Sequence, residues 1–458
     1  MNDPSGGRQS LYRRILRQNP GMERIVREIT VPPGDAVALA SVCVLGPALG
    51  SFTQWLLKEA CGNGLNRLYF LARDGYLMHR AALLFCETLG LPIACRYLSC
   101  SRYSLRLPVF HLDREAALDF LCRNAAGGVT MEMILGRAGL NQVETAEIIR
   151  LIPLPLSSGE HIPNDSLPQV RRALAACRPF LERMESRSRE AMPGLAGYLR
   201  QEGLLEGAPY AIVDSGWTGT MQQTLCGALR ALGRSGRLEG YYWGLYDLPP
   251  GACRADYHCC YFGPEGGLRE KAGFNNCLFE AVYTAPHGMT LGYARQDEGY
   301  APVYGISPPG RNAFLRKIEA YTLQYVRILA SQTGKADWEQ YDFEADRAAI
   351  RALMRTFMRR PSGAEAEAFG SLPFSDDVLE GGEESLAAPL TPAQLRAHHL
   401  LPRLRARGGI LRESAWYEGS VVRYGRHTGY HLMHHTWYQY LRYIQKIYRF
   451  RRERREKK

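Results

Sequence analysis

The sequence predicts an α/β protein: two Rossmann-like α/β halves, separated by a helical insertion and followed by a helical C-terminal region. Three observations carry this. Short apolar runs at residues 67–72 and 210–213 have strand character. Each feeds through a glycine-bearing turn into a segment with apolar residues at helical spacing. Between the two units lie about ninety residues of helical pattern, and a further long helical pattern follows them.

Taken in order, residues 1–34 are polar and basic and read as a poorly ordered arm with a short amphipathic piece at 11–16. The first half spans 35–110. It opens with a helix pair or bent helix at 34–60, broken at Gly46-Pro47. Strand 67–72, RLYFLA, leads through Arg73-Asp74-Gly75 into helix 76–89, and Gly90 stops that helix. A further strand at 92–99 ends in Ser99-Cys100-Ser101-Arg102. The insertion, 111–205, is mostly helical and carries no recognisable chemistry. The second half, 206–310, holds strand 210–213, helix 221–232 and strands at 238–245 and 256–262. A helix at 275–283 ends in Thr284-Ala285-Pro286-His287-Gly288. Residues 311–436 are again helical, apart from 361–392, a Gly/Glu/Ser/Pro-rich segment that reads as a flexible acidic loop. Thr391 is placed to cap a helix at 391–405. Residues 437–458 form a basic, aromatic, amphipathic tail, suited to docking on an anionic membrane surface or on a partner.

Composition bounds the class. Hydrophobic residues make up 46% and charged residues 22%, ordinary for a soluble globular protein. The formal net charge is +11, but the last 22 residues hold nine Lys/Arg against two Glu. The excess is local, which suits an anionic surface met by the tail and not a nucleic-acid protein. The alternative is a solvated charged tail. There are 12 cysteines, none in a C-x-x-C pair and several inside apolar runs, so reduced thiols in a cytoplasmic protein are expected and a zinc site is not. No signal peptide is evident. The longest apolar run, 37–49, is shorter than the roughly 20 residues of a spanning helix, so no membrane crossing is expected.

The stretch 210–224, YAIVDSGWTGTMQQT, is the strongest candidate for chemistry. An apolar strand ends in Asp214 and passes through Ser215, Gly216, Trp217, Thr218, Gly219 and Thr220 before a helix begins. Exposed backbone N–H groups, glycines that allow close approach and a helix start together suit a phosphate. The two threonine hydroxyls add donors. Such a turn also occurs merely to reverse direction. In an open α/β sheet, ligands bind beyond the carboxyl ends of the strands. That makes Arg73, Asp74 and Arg102 candidates alongside Asp214, against the alternative of a local ion pair or helix cap. Glu280 lies in an apolar stretch, where a carboxylate is costly unless paired. It is either functional or tied to an arginine. His287 sits in a loop beside proline and glycine, placed for a ligand or for solvent.

Together these clusters suit a phosphorylated sugar, with Asp74 and Asp214 able to share a Mg²⁺ that neutralises a diphosphate. No Walker A, GxGxxG, HExxH, Ser-His-Asp order or D-x-D-x-T loop is present.

The segment VDSGWTGT looks like a shortened phosphoribosyltransferase loop, in which a strand ending in two acids is followed by T-G-x-T. Here Asp214 is one acid and Ser215 stands where the second would be. The set FLARDGYL (70–77), YLSCSRYSLRLP (97–108), VDSGWTGTMQ (213–222), GYYWGL (240–245) and FEAVYTAPHG (279–288) resembles the glycan phosphoribosyltransferase domain of bacterial dual-domain ribofuranosyltransferases. Those proteins are often labelled haloacid-dehalogenase-like hydrolases because of their other domain. The resemblance runs from about residue 40 to 300. It implies transfer of 5-phosphoribosyl from phosphoribosyl diphosphate to a hydroxyl of a cell-surface glycan precursor, lipid-linked and met at the inner face of the cell membrane. A phosphatase domain would then remove the 5′-phosphate. This sequence carries no phosphatase signature, so either a separate phosphatase acts or the product keeps its phosphate.

On that reading Thr218, Gly219 and Thr220 hold the 5′-phosphate, and Asp214 holds ribose hydroxyls or the metal. Arg73 and Arg102 bind the diphosphate. Asp74 is the general base or a metal ligand, with Glu280 the second candidate base. Two other classes compete: a nucleotide-sugar glycosyltransferase, for which Trp217 would be the stacking surface, and a non-catalytic scaffold of a polysaccharide assembly complex.

Overall fold

A single five-stranded parallel sheet, not two separate ones, underlies both halves. Its strands are β1 (Arg67–Leu71), β2 (Ala94–Leu98), β3 (Ala211–Trp217), β4 (Glu239–Leu245) and β5 (Tyr257–Phe262), in the order β2-β1-β3-β4-β5. The computed structural model describes residues 4–123, 128–154, 159–307, 310–374, 384–405 and 414–456. β1 pairs directly with β3, Leu68 opposite Ala211 and Phe70 opposite Val213, so the chain leaves the sheet after β2 and returns beside β1. Both faces are covered, as parallel sheets require. Leu68 and Phe70 point into one core, with helices Gly46–Gly62, Gly75–Leu89, Arg311–Gln332 and Phe343–Arg359. Tyr69 and Leu71 point into the other, with helices Arg178–Gln201 and Thr220–Ala231. The insertion packs around its own core, which includes Leu118, Ile134, Leu135, Phe180 and Met184.

Several expectations change. The basic N-terminal arm is helical, Pro4–Leu16 and Pro20–Glu28, and docks on the main body. Tyr12, Leu16, Met22, Ile25 and Val26 are buried at helical spacing, and Asn19 caps the second helix. The local excess of arginine hides this pattern. Arg8 pairs at 2.5 Å with buried Glu365, which also accepts from the Tyr12 hydroxyl. Glu365 falls in the supposed acidic loop. Part of 361–392 is ordered: helix Gly363–Gly370 packs through Phe369, and Leu386 and Leu390 are buried. Residues 375–383 of that loop lie outside the described residues.

The helix at 34–60 is a continuous helical run, Ala36–Gly62, with a π-helical turn at Ser41–Leu45 just before Gly46-Pro47. This run is long and apolar enough to cross a membrane, but 94% of its apolar window is buried inside the fold. It is the central core helix, and Tyr325 lies so close to Gly46 that a Cβ there would sit 2.7 Å away. Thr391 caps a short helix, Pro392–Ala397, and the chain breaks before Leu400–Arg405. A hairpin was not anticipated: β6 (Thr290–Gln296) pairs antiparallel with β7 (Gly299–Tyr304) and lies against Arg178–Gln201. The tail belongs to a 29-residue helix, Thr428–Glu456.

Candidate functional site

The carboxyl ends of β2, β1 and β3 are neighbours, which brings Arg102, Arg73, Asp74 and Asp214 to one edge of the sheet. Asp74 follows β1 and precedes the first turn of helix Gly75–Leu89 without capping it through its side chain. The Ala72–Arg73 peptide bond is cis. The Ser215 hydroxyl donates to Asp74 Oδ2 at 2.5 Å across the two strand ends, and the Ser215 N–H donates to Asp214 Oδ1 at 2.9 Å. Ser215 therefore ties the two acids together, in the position where the resemblance expected a second acid.

The carboxylates sense each other. Burial pushes the Asp74 carboxyl above its ordinary range, against the Ser215 hydrogen bond and the positive fields of Arg73, Arg311 and Arg102. Burial and the neighbouring Asp74 push Asp214 up to about 7, against the Ser215 N–H and Arg102. Asp214 is 8% exposed, while Asp74 keeps partial contact with solvent. The two acids lie within the fields of Arg73, Arg102 and Arg311, and a proton, a cation or a ligand hydroxyl would relieve their repulsion.

The turn after Asp214 is shorter than expected. β3 runs on to Trp217, with Gly216 opposite Gly244 and Trp217 opposite Leu245, so only Thr218 and Gly219 separate strand from helix Thr220–Ala231. The two glycines have packing reasons. Gly216 has φ +114°, and a Cβ would lie 2.5 Å from the Gly244 carbonyl oxygen. Gly219 has φ +62°, and a Cβ would lie 2.5 Å from the Tyr257 ring. The Trp217 ring is engaged as well: it packs against Tyr246, Phe274 and Phe279 and donates its indole N–H to Glu280. Neither the stacking platform of a nucleotide-sugar site nor a free Glu280 base is formed there. Glu280 accepts from the Trp217 indole.

What remains open at the turn is a helix start. Helix Thr220–Ala231 has no side-chain cap, and the Thr218 and Thr220 hydroxyls stand 3.4 Å apart over it. These are the elements of an anion seat. At about 3.3 Å per strand residue, Thr218 lies up to about 13 Å along the chain from Asp214. The two ends suit a ligand with anionic groups at both extremities.

His287 is brought close, but indirectly. Its Nδ1 donates to the Gly288 carbonyl at 2.8 Å, so in the neutral ring Nε2 accepts from the Tyr97 hydroxyl, also 2.8 Å away. The imidazole stacks on Tyr304. Tyr97 in turn lies within the fields of Asp74 and Arg73. His287 thus orients Tyr97 and does not itself face the acids through either nitrogen.

Three contributors escaped sequence reasoning. Arg311 acts on Asp74 and donates to the Thr284 hydroxyl at 3.1 Å. Tyr97 lies in a strand and reads there as packing. Arg106 donates twice to the Thr224 hydroxyl, stacks on Phe120 and adds a second cation near Arg102. One signal existed for Arg311: it opens a helix directly after Gly310, where a cation opposes the macrodipole.

Among the described residues, no group of three His, Cys, Asp or Glu could hold a metal ion. The Asp74–Asp214 pair still suits a cation whose remaining ligands come from a bound molecule, since Mg²⁺ is commonly held by one or two carboxylates plus phosphates. The sequence matches no protein-family model and no curated protein.

Proposed function

We infer that the chain transfers a 5-phosphoribosyl group from phosphoribosyl diphosphate to a hydroxyl of a glycan acceptor. One observation carries this reading: a coupled pair of acids, Asp74 and Asp214, joined through Ser215 and ringed by Arg73, Arg102 and Arg311, stands one strand's length from an uncapped helix start bearing Thr218 and Thr220. A donor with a diphosphate at one end and a 5′-phosphate at the other fits both anion-binding ends.

In the reaction, the bond from C1 of the ribose to the diphosphate oxygen breaks, and the diphosphate leaves with the electron pair. The acceptor hydroxyl oxygen bonds to C1 and its proton passes to a carboxylate. Arg73, Arg102 and Arg311 stabilise the leaving charge. Asp214 binds the ribose hydroxyls, and Asp74 takes the proton, with Ser215 holding it in place. A Mg²⁺ held by Asp74 and Asp214 would neutralise diphosphate charge. Thr218, Thr220 and the first N–H groups of helix Thr220–Ala231 seat the 5′-phosphate. The 5′-phosphate stays on the product until a separate phosphatase acts. The twelve cysteines are all free thiols, which supports a reducing, cytoplasmic setting for this chemistry.

Calorimetric titration of phosphoribosyl diphosphate, with and without Mg²⁺, tests the reading. Binding is expected in the native protein and is lost in Asp214→Ala. Binding of a nucleotide sugar in place of phosphoribosyl diphosphate overturns it, as does binding that survives Asp214→Ala unchanged.

A further inference from the structure

The C-terminal helix, Thr428–Glu456, carries two seams on opposite sides, one buried and of mixed polarity, the other exposed and apolar. One is buried: His431, His435, Gln439, Tyr443 and Ile447 recur every four residues against the body, with Tyr443 stacked on Tyr246. The other faces outwards. Tyr430, Met433, Trp437, Leu441, Ile444 and Tyr448 are exposed at spacings of three and four, and Trp437 is 60% exposed. At 100° per residue these six fall within one stripe, opposite the buried seam. A contiguous exposed stripe of this kind marks an interaction surface.

Charge and residue type select its occupant. Over its length, Thr428–Glu456, the helix has seven Lys/Arg against two Glu. A second copy of the same helix laid parallel would set this excess of cations against itself, with few of the acid–base pairs that join coiled-coil helices. Aromatic residues spread along the stripe, with exposed Arg451 and Arg452 flanking its C-terminal end, are the composition of a helix lying in a lipid–water interface.

A second feature opens along the same edge. A cleft of about 490 Å³ lies between this helix and the end of helix Phe343–Arg359. Its walls include Arg355, Arg359, Arg360, Thr436, Trp437 and Tyr440. Arg355 and Arg360 are exposed and have no acidic partner among the described residues. Arg359 Nε has no hydrogen-bond partner, while the rest of its guanidinium is held by Glu418 and the Phe274 carbonyl, so Arg355 and Arg360 supply the cleft's free charge. Cations, a hydroxyl and aromatic rims suit the phosphate headgroup of a lipid whose chains lie along the stripe.

We propose that the outer stripe of helix Thr428–Glu456 docks the protein on an anionic membrane surface, and that the adjoining arginine cleft seats a lipid phosphate headgroup. This does not depend on the transferase reading.

The test is co-sedimentation of the full chain with vesicles of phosphatidylcholine alone or mixed with phosphatidylglycerol, with Trp emission recorded in parallel. Binding to the mixed vesicles, a blue shift and loss of binding at high salt are expected. Trp437→Ser/Leu441→Ser/Ile444→Ser alters exposed positions only and is expected to abolish binding to the vesicles while leaving the melting temperature unchanged. Arg355→Gln/Arg360→Gln is expected to weaken binding to anionic vesicles by roughly tenfold or more. Inorganic phosphate that competes only at the cleft separates headgroup recognition from general charge attraction. Equal binding of native and triple-variant protein overturns the proposal. So does a native dimer in sedimentation equilibrium that the triple substitution dissociates without any vesicle binding by the native chain.

Discussion

Asp214→Asn is expected to make the protein more stable above neutral pH and, on the proposed transferase function, to remove binding of phosphoribosyl diphosphate. Asp214 has an ordinary value of 3.8 and stands at about 7 in the fold, raised by burial and by Asp74. The sign follows from linkage. The folded state holds its proton more tightly than the unfolded chain, so the favourable contribution is complete below 3.8 and is lost as pH rises towards 7. At 1.36 kcal/mol per pK unit, ionised Asp214 costs at most about 4 kcal/mol of stability at pH 8. An amide carries no charge and keeps an oxygen for the Ser215 N–H, so it avoids that cost. Thermal melts at pH 4 and pH 8 measure the effect. The variant should melt close to the native protein at pH 4 and several degrees above it at pH 8. Phosphoribosyl diphosphate with Mg²⁺ should raise the native midpoint at pH 8 and leave the variant's unchanged. A variant that melts below the native protein at pH 8, or an offset independent of pH, would refute the electrostatic reasoning.

Other expectations follow from the same physics. Burial opposes ionisation of Glu418, yet Arg359 and His435 overcome it and hold the carboxyl at about 2. This stability is present above 4.5 and is lost as pH falls towards 2. Glu418→Gln strands buried Arg359 and should cost about 3–5 kcal/mol at pH 7, the gap to native narrowing in melts at pH 3.5. Removal of residues 1–30 exposes the surface that buries Tyr12, Leu16, Met22, Ile25 and Val26. Such a truncation should be insoluble or melt far lower, whereas a disordered arm could be removed without effect. Gly216→Ala forces a side chain against the Gly244 carbonyl at positive φ and should destabilise the sheet by about 1–3 kcal/mol, read from urea midpoints.

The strands were legible because buried parallel strands are short apolar runs ended by turn residues. β1, β2, β4 and β5 each begin and end within two residues of the sequence reading, β3 runs four residues beyond it to Trp217, and Gly90 caps its helix at φ +62° as expected. The convergence of Arg73, Asp74, Arg102 and Asp214 also followed, since the rule about strand ends needs only the order of elements. Pairing was not legible. That β1 sits beside β3 depends on which faces remain to be covered, and no local pattern encodes this. The same holds for Glu365: an acid in a Gly/Glu/Ser-rich stretch looks solvated until Arg8, more than 350 residues away, is known to meet it. At the turn, glycines that suited a phosphate are required first by the Gly244 carbonyl and the Tyr257 ring. Glycine reports close approach, but not what approaches.

The arrangement of the site explains why elements far beyond the sheet are needed. Two neighbouring carboxyls at the ends of β1 and β3 destabilise one another, and Ser215 within β3 and Arg73 after β1 offset this only in part. The rest of the offset arrives from elsewhere. Arg311 enters from the helix after β7, and Tyr97 is fixed by His287, which stacks on Tyr304 at the end of the hairpin. The Tyr304 hydroxyl reaches Ser99 at 2.7 Å, and the Ser101 hydroxyl donates to the Thr290 carbonyl, so the hairpin is bonded to the segment that carries Arg102. Hairpin, loop 284–288 and helix Arg311–Gln332 therefore form the second wall of the site. A chain cut after β5 would keep the acids and lose Arg311 together with the support of Tyr97. A fold that retains a mutually repelling acid pair and draws its cations from three separate elements is arranged for a ligand that satisfies both charges, not for stability.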